Sequence, residues 1–123
     1  MEPVPRSKPA PYSPLVWECG PTTPLEEVEG VAAIDLGMLL QQRRSRRVFE
    51  PLPLRHLGHL LGLVCQTQAV RASGFGFEQE LRACPSAGAL HPIHVLCQRE
   101  AEGEWERYDP MRHELVGVAG SSH

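Results

Sequence analysis

The chain has 123 residues, of which 41% are apolar and 22% charged, and this composition excludes a disordered or fibrous protein. Its 12 basic and 15 acidic residues give a formal charge of −3, which argues against general binding of nucleic acid or of an anionic membrane. The sequence shows no signal peptide and no run of about 18 apolar residues. We therefore expect a cytoplasmic protein whose four cysteines stay reduced.

Residues 1–24 are predicted to form an extended arm, residues 25–118 the domain itself and residues 119–123 a short tail. Seven of the 12 prolines lie in the arm. Because proline fixes φ and lacks a backbone N–H, polyproline II is favoured there over helix or strand. Val16 and Trp17 are the only bulky apolar pair in the arm, and they either dock it on the domain or belong to a free tail.

Two amphipathic helices are predicted after the arm. The first covers residues 25–42 in two pieces, because Pro24 and the two acids that follow Leu25 suit a helix start, whereas Gly30 interrupts the pattern. The second begins near Pro53 and ends around residues 65–68, with its leucines at helical spacing.

The remainder is predicted as a loop followed by a small sheet. Residues 71–80 are rich in glycine and polar side chains and predict a loop. Apolar residues predict three short strands, at residues 93–98, 105–108 and 115–118, with an Asp-Pro turn before the last one. The fold class is therefore α/β, of the α+β kind, with two main helices and a small sheet.

The strongest local signal is the run Arg43-Arg44-Ser45-Arg46-Arg47. A helix would place Arg43 and Arg47 on one face, whereas an extended segment would align Arg43, Ser45 and Arg47 on one side. In both cases two guanidiniums and a hydroxyl suit a phosphate dianion. The alternative is a solvated basic helix end, where arginine stabilises the negative end of the helix dipole.

A second signal is the segment Pro85-Ser86-Ala87-Gly88, which begins a run of small residues bounded by prolines. Small side chains let a flat ring approach the backbone closely. The amides near Ser86 and Gly88 are candidate donors to the carbonyl oxygens of such a ring. The alternative is an ordinary turn that leads into a strand.

The sequence contains no clear residue pattern for a metal site or for a catalytic site. His91 and His94 are three residues apart, and on a strand this spacing points the two side chains to opposite faces. No acidic or cysteine side chain lies at ligand spacing from them, so no metal site is predicted. No catalytic side chain is assigned.

Four segments, taken in order, closely resemble the nitroreductase superfamily: RRSRRVFEPLPL, a leucine-patterned helix, PSAGALHPIHVL and ERYDPMRHEL. The branch they resemble most is the SagB-type dehydrogenases, which include the azoline oxidases of thiazole- and oxazole-containing peptide biosynthesis. The resemblance runs from about residue 34 to residue 118, and the proline-bounded PSAGALHP string is its more distinctive part.

This resemblance implies a fold that binds FMN, usually at a dimer interface, and passes hydride through the flavin N5. In the family, an Arg-x-Ser-x-Arg/Lys segment holds the FMN phosphate. The matching positions here are Arg43, Ser45 and Arg47, with Arg44 beside them.

The resemblance also implies a contact with the isoalloxazine ring, commonly made by a Pro-Ser loop of the partner subunit. The matching positions here are Pro85, Ser86, Ala87 and Gly88. The expected function is that of an FMN-dependent oxidoreductase domain or subunit, with the modification of a peptide as one context. A non-catalytic partner subunit without redox turnover is the alternative.

Members of the family continue through further strands and helices, so the chain resembles only the N-terminal half of their fold. It is then a split or truncated form, a minimal variant that dimerises, or a degenerate relative that no longer binds flavin. We expect a homodimer, or a complementary chain that completes the fold. A small-molecule or peptide substrate is expected, and neither a nucleic-acid nor a membrane partner.

Overall fold

A computed structural model describes residue 13, residues 15–30 and residues 32–119. This part of the chain contains two α-helices and two antiparallel sheets, so the α+β class is confirmed. The elements in chain order are β1 (Cys19–Pro24), α1 (Leu36–Gln42), α2 (Leu54–Cys65), β2 (Thr67–Ala72), β3 (Glu78–Arg82), a 3-10 turn (Ala87–Ala89), β4 (Leu96–Cys97), β5 (Glu106–Asp109) and β6 (Glu114–Val118). Among the described residues, no helix has the length and apolarity needed to cross a membrane.

The larger sheet has the strand order β1-β6-β5-β4, with every neighbouring pair antiparallel. Its centre is the β5–β6 hairpin, which confirms the predicted strand at residues 115–118 and the Asp-Pro turn before it. The Asp109 carboxylate stabilises this turn, because its Oδ1 accepts hydrogen bonds from the backbone N–H of Met111 at 2.9 Å and of Arg112 at 3.2 Å.

The core lies between this hairpin and α2. Leu115 is fully buried there, together with Tyr108, Leu25 and Leu61. The predicted second helix is confirmed, since α2 covers the leucine pattern from Pro53 onwards and turns Leu61 into the core. Leu60 belongs to the same predicted stripe but stays half-exposed.

A chain of hydrogen bonds through His113 joins the core to the segment that follows β1. The Tyr108 hydroxyl lies 2.8 Å from Nδ1 of His113, and Nε2 of His113 lies 2.9 Å from the Glu26 carbonyl oxygen. Since a carbonyl only accepts, Nε2 carries the proton, and Nδ1 accepts from the Tyr108 hydroxyl. Both buried side chains are thereby satisfied, and Glu26 is held against the hairpin.

The arm is partly a strand rather than polyproline II. β1 pairs with β6 from Cys19 opposite Val118 to Pro24 opposite Glu114. Trp17 also contacts the domain, because its Nε1 donates a hydrogen bond to Nδ1 of His94 at 2.9 Å. Of the two alternatives for Val16 and Trp17, docking is the one observed, and it is made by Trp17. Residues 1–12 of the predicted arm and residues 120–123 of the tail lie outside the described residues.

The first predicted helix is wrong over residues 25–30. The Leu25 N–H donates to the His113 carbonyl at 3.0 Å, so no helical turn starts there, and residues 25–30 belong to no helix or strand. Gly30 then has a φ of +56°, which is outside the helical region. Only the second piece is helical, as α1, and it begins after Asp35.

The predicted loop at residues 71–80 is confirmed only at residues 73–77, because the residues on either side belong to the hairpin of β2 and β3. Its turn is held by the Ser73 N–H, which donates to Phe77 O, and by the Ser73 hydroxyl, which accepts from the Phe75 N–H. Two glycines with positive φ, Gly74 and Gly76, reverse the chain. The strand predicted at residues 93–98 is shorter than expected and consists of β4 alone.

Candidate functional site

The candidate phosphate segment follows α1 directly. The Asp35 carboxylate caps the start of this helix by accepting from the Met38 N–H at 2.8 Å. The helix ends at Gln42, and Arg43 has extended backbone angles, φ −55° and ψ 126°. A helical arrangement of Arg43 and Arg47 is therefore wrong, and the extended arrangement is the one compatible with the backbone.

The arginines of this segment differ in what they contact. Nη1 of Arg44 donates to the carbonyl oxygens of Gln41 and Arg43, each at 2.9 Å, so this guanidinium caps the end of α1. The guanidinium groups of Arg43 and Arg47 make no hydrogen bond or ion pair with any described residue. Both side chains are exposed, as is Ser45 between them. Two guanidiniums and one hydroxyl therefore remain open to an anion from solution.

The candidate ring-contact segment is a tight turn held by its own hydrogen bonds. The Ser86 hydroxyl accepts from the His91 N–H at 3.0 Å, and the Ser86 carbonyl accepts from the Ala89 N–H at 3.1 Å. The Gly88 carbonyl accepts from Nε2 of Gln79 at 2.7 Å, which ties the turn to β3. The Ser86 hydroxyl keeps its own proton for another acceptor, because it acts here only as an acceptor.

The backbone of this turn is strained. Gly88 has a φ of +65°, which glycine adopts freely, but Ala89 and His91 also have positive φ values, +52° and +44°. Such conformations cost non-glycine residues about 1–3 kcal/mol each and persist only where neighbouring contacts enforce them. One such contact joins Nε2 of His91 to the Glu80 carbonyl at 3.0 Å.

Glu80 anchors the hairpin on which the turn rests. Its Oε2 accepts from the Thr67 hydroxyl and from Nη2 of Arg82, each at 2.6 Å. Burial opposes ionisation of Glu80, but these hydrogen bonds outweigh burial, so the pKa of this carboxyl lies below its usual value. The turn therefore contacts a hairpin in which the Glu80 carboxylate is charged and hydrogen-bonded through Oε2.

The two candidate segments have no polar contact with each other in the described chain. Across the part of the chain that the structure describes, no hydrogen bond or ion pair joins residues 43–47 to residues 85–88. A groove of about 370 Å³ lies at the β2–β3 turn, and one of about 340 Å³ lies between Pro21 and Arg99. Neither groove is lined by a candidate cofactor residue.

Among the described residues, no group of three or more histidine, cysteine, aspartate or glutamate side chains converges. Sequence reasoning missed Gln79 and His91 as the residues that hold the turn. The positive φ of His91 has no sequence signal, because it depends on hydrogen bonds between segments. Gln79 was missed because it lies in a stretch that the sequence predicted as a loop.

Comparison with known proteins finds no match among family models, curated proteins or solved structures. The nitroreductase resemblance therefore stays a prediction from the residues themselves. The arguments for function come from the chemistry of the two exposed segments.

Proposed function

We propose that this chain is an FMN-dependent, nitroreductase-like oxidoreductase domain or subunit of the SagB type, acting on a small-molecule or peptide substrate. The observation that carries the proposal is the set Arg43, Ser45 and Arg47, which is exposed and extended at its start, with side chains that make no hydrogen bond or ion pair to a described residue. The flavin, when bound, supplies the chemistry by accepting and passing on a hydride at N5.

The donors of this set fit the phosphate of FMN. A phosphate dianion is neutralised by two cations, and the guanidiniums of Arg43 and Arg47 offer forked N–H donors of matching geometry. Ser45 adds a neutral hydroxyl. Arg44 contributes positive potential, but its Nη1 is already used by the carbonyls of Gln41 and Arg43. In this proposal Arg43 and Arg47 are the main phosphate ligands.

The turn Pro85–Gly88 fits the ring. Ala87 and Gly88 are exposed and present almost no side chain, so a flat heterocycle can lie against their backbone. The Ser86 hydroxyl retains a donor for a ring carbonyl oxygen. The internal hydrogen bonds of the turn and its tie to Gln79 hold this surface in place before the ring arrives.

A second chain is part of the proposal, either a second copy or a complementary chain. Large apolar side chains of the described residues are open to such a partner, because Leu36, Val48 and Phe49 are 68%, 91% and 80% exposed. A typical interface removes about 800 Å² from each partner. One flavin would then lie between the phosphate segment of one chain and the turn of the other.

One observation favours the second candidate, a non-catalytic partner subunit. Neither of the two grooves described above is lined by the candidate cofactor residues, so neither is a flavin pocket built from them. The two candidates differ in a simple observable. An oxidoreductase subunit retains FMN and stays yellow after free flavin is removed, whereas a partner without redox turnover retains no flavin colour.

The experiment is a titration of FMN fluorescence with the wild-type chain and with single arginine variants. Each charge-assisted hydrogen bond to phosphate contributes about 1.5–3 kcal/mol. We expect Arg43→Ala and Arg47→Ala to weaken FMN binding by about 10- to 100-fold. Arg46→Ala is the matched control, because Arg46 points away from the other two in an extended segment.

The three variants distinguish a specific phosphate site from a general attraction of FMN to a basic segment. A smaller effect of Arg46→Ala supports a phosphate site, whereas three equal and small effects mean that the run is only a solvated helix end. The nature of the ligand is checked by heat release and chromatography. Release of FAD, or failure to bind FMN at any chain concentration, contradicts the proposal.

A further inference from the structure

Cys65 and Cys84 come together where α2 ends and the Pro85–Gly88 turn begins. Cys65 is the last residue of α2, and Cys84 directly precedes Pro85. The Cys84 N–H donates to the carbonyl oxygen of Val64 at 3.1 Å. Covalent geometry then limits the distance between the Cα atoms of the two cysteines to about 7 Å. Disulfides typically span about 4.4–6.8 Å between Cα atoms, so this placement is close to what a disulfide needs.

The two thiols also interact through their side chains. Burial raises the pKa of the Cys65 thiol, the neighbouring Cys84 raises it further, and the Arg82 guanidinium opposes both. Both cysteines are half-buried and reduced in the structure. Their environment therefore holds one thiol beside the other while leaving part of each accessible to a small reagent.

The other two cysteines are placed differently. Cys19 is exposed in β1, and the Cys97 thiol in β4 donates to the Glu106 carbonyl oxygen at 3.7 Å. Neither of these two thiols contributes to the shift in the pKa of the Cys65 thiol. Accessibility alone would make Cys19 the first cysteine to be oxidised, whereas proximity singles out the pair Cys65 and Cys84.

We propose that Cys65 and Cys84 form a reversible intramolecular disulfide, with a small-molecule disulfide of the glutathione type as the oxidant. The thiolate of one cysteine attacks a sulfur of the oxidant and releases one thiolate of it. The thiolate of the other cysteine attacks the protein sulfur of this mixed disulfide and releases the second. Two protein thiols are oxidised, one oxidant disulfide is reduced, and the two protons pass to the released thiolates.

This bond joins the end of α2 to the entrance of the Pro85–Gly88 turn. Cys84 is adjacent to Pro85, so the bond restricts where the turn can move relative to the helix. The site goes beyond the proposed function and does not require it, because the exchange involves only the two thiols and the oxidant. A failure of FMN binding leaves the disulfide proposal intact, and a failure of disulfide formation leaves the FMN proposal intact.

The test is thiol–disulfide exchange with glutathione disulfide on the full chain carrying Cys97→Ser. Trypsin cleaves after Arg71 and Arg82 and so separates Cys65 from Cys84. Cys97 shares a tryptic peptide with Cys84, and its replacement removes that ambiguity. Remaining thiols are blocked with an alkylating agent, and the linked peptides are quantified by mass spectrometry.

An unfolded chain already prefers one disulfide over another, and the folded protein has to exceed this preference. Cys19 and Cys65 are 46 positions apart, and Cys65 and Cys84 are 19 apart. Loop-closure entropy alone then favours the Cys65–Cys84 bond over the Cys19–Cys65 bond by about fourfold in an unfolded chain. The same reaction in concentrated guanidinium measures this reference value directly.

We expect the folded chain to favour the Cys65–Cys84 bond by well over tenfold and to return to two thiols when excess reduced glutathione is added. Cys65→Ser and Cys84→Ser should each stop at a mixed disulfide with glutathione. A selectivity no higher than in guanidinium overturns the proposal. Mixed disulfides without ring closure, or bonds that form only between chains, overturn it as well.

Discussion

The β5–β6 hairpin and the segment of residues 32–53 use apolar residues in opposite ways. Leu115 and Tyr108 of the hairpin are buried in the core. Leu36 and Phe49 of the segment are 68% and 80% exposed. Burial of apolar surface contributes about 25 cal/mol per Å². The hairpin therefore gains the free energy of apolar burial within one chain. Residues 32–53 gain it only when another protein surface covers their apolar side chains.

The helix of the exposed segment leads to the same conclusion. α1 has seven residues, and none of them is buried. Helices shorter than about 12 residues are marginal in water unless they are packed against other structure. The Asp35 cap contributes about 1 kcal/mol, which is not sufficient alone. We therefore expect α1 to pack against another chain.

The largest expected effect is therefore a change of assembly state. We expect the wild-type chain to scatter light as a species larger than 13.6 kDa. Leu36 and Leu40 are four residues apart on α1 and are 68% and 65% exposed, so the double change Leu36→Glu/Leu40→Glu should release monomers. Met111→Glu, at the exposed hairpin turn, is the control and should leave the assembly intact. A monomeric wild-type chain would contradict the comparison.

Truncation of the core should have the next largest effect. Leu115→Ala is expected to lower the free energy of unfolding by about 2–5 kcal/mol, because Leu115 is fully buried. Leu60→Ala removes the same atoms from a residue that is 53% exposed, and we expect a loss below about 1 kcal/mol. Urea denaturation of both variants measures the difference. Equal losses would mean that α2 buries its outer face in solution.

Removal of the Tyr108 hydroxyl should have an intermediate effect. Tyr108→Phe leaves Nδ1 of the buried His113 without its donor, and we expect a loss of about 1–3 kcal/mol. Burial raises the pKa of the Tyr108 hydroxyl, so its contribution to stability is complete below about pH 10 and is lost as the pH rises beyond that value. Denaturation between pH 8 and pH 11 should therefore show a smaller alkaline loss for Tyr108→Phe than for the wild-type chain.

The docking of the arm should give the smallest effect. Trp17→Phe removes the hydrogen bond to His94 and is expected to cost about 0.5–1.5 kcal/mol. Burial, together with Arg107 and Arg82, lowers the pKa of His94, so this contribution is present above about pH 6.5 and is lost as the pH falls through the lowered pKa. In a Trp105→Phe background, the Trp17 fluorescence should shift to the red on acidification. A spectrum that is constant with pH would exclude this release.

Elements whose signals are local were predictable from the sequence. The leucine spacing after Pro53 predicted α2, and the Asp-Pro turn predicted the hairpin that contains Leu115. The β2–β3 hairpin was missed because its turn relies on the Ser73 hydroxyl and not on a two-residue turn signature. The candidate residues of the site were found by side-chain type and spacing. The hydrogen bonds of these residues were not predicted. The bonds that Arg44 donates to the end of α1 and Gln79 donates to the Gly88 carbonyl depend on the folded backbone.

By itself the sequence determined the α+β class, the second helix, the central hairpin and the two segments with the chemistry for phosphate and a flat ring. Periodicity, prolines and clustered arginines act over a few residues, so they can be interpreted without the fold. Only the tertiary structure decided that Leu25 bonds to the His113 carbonyl instead of starting a helix, that Trp17 docks on His94 and that Cys65 lies beside Cys84. These outcomes depend on contacts between residues far apart in the chain, and no local pattern encodes which distant partner a backbone group or a thiol will meet.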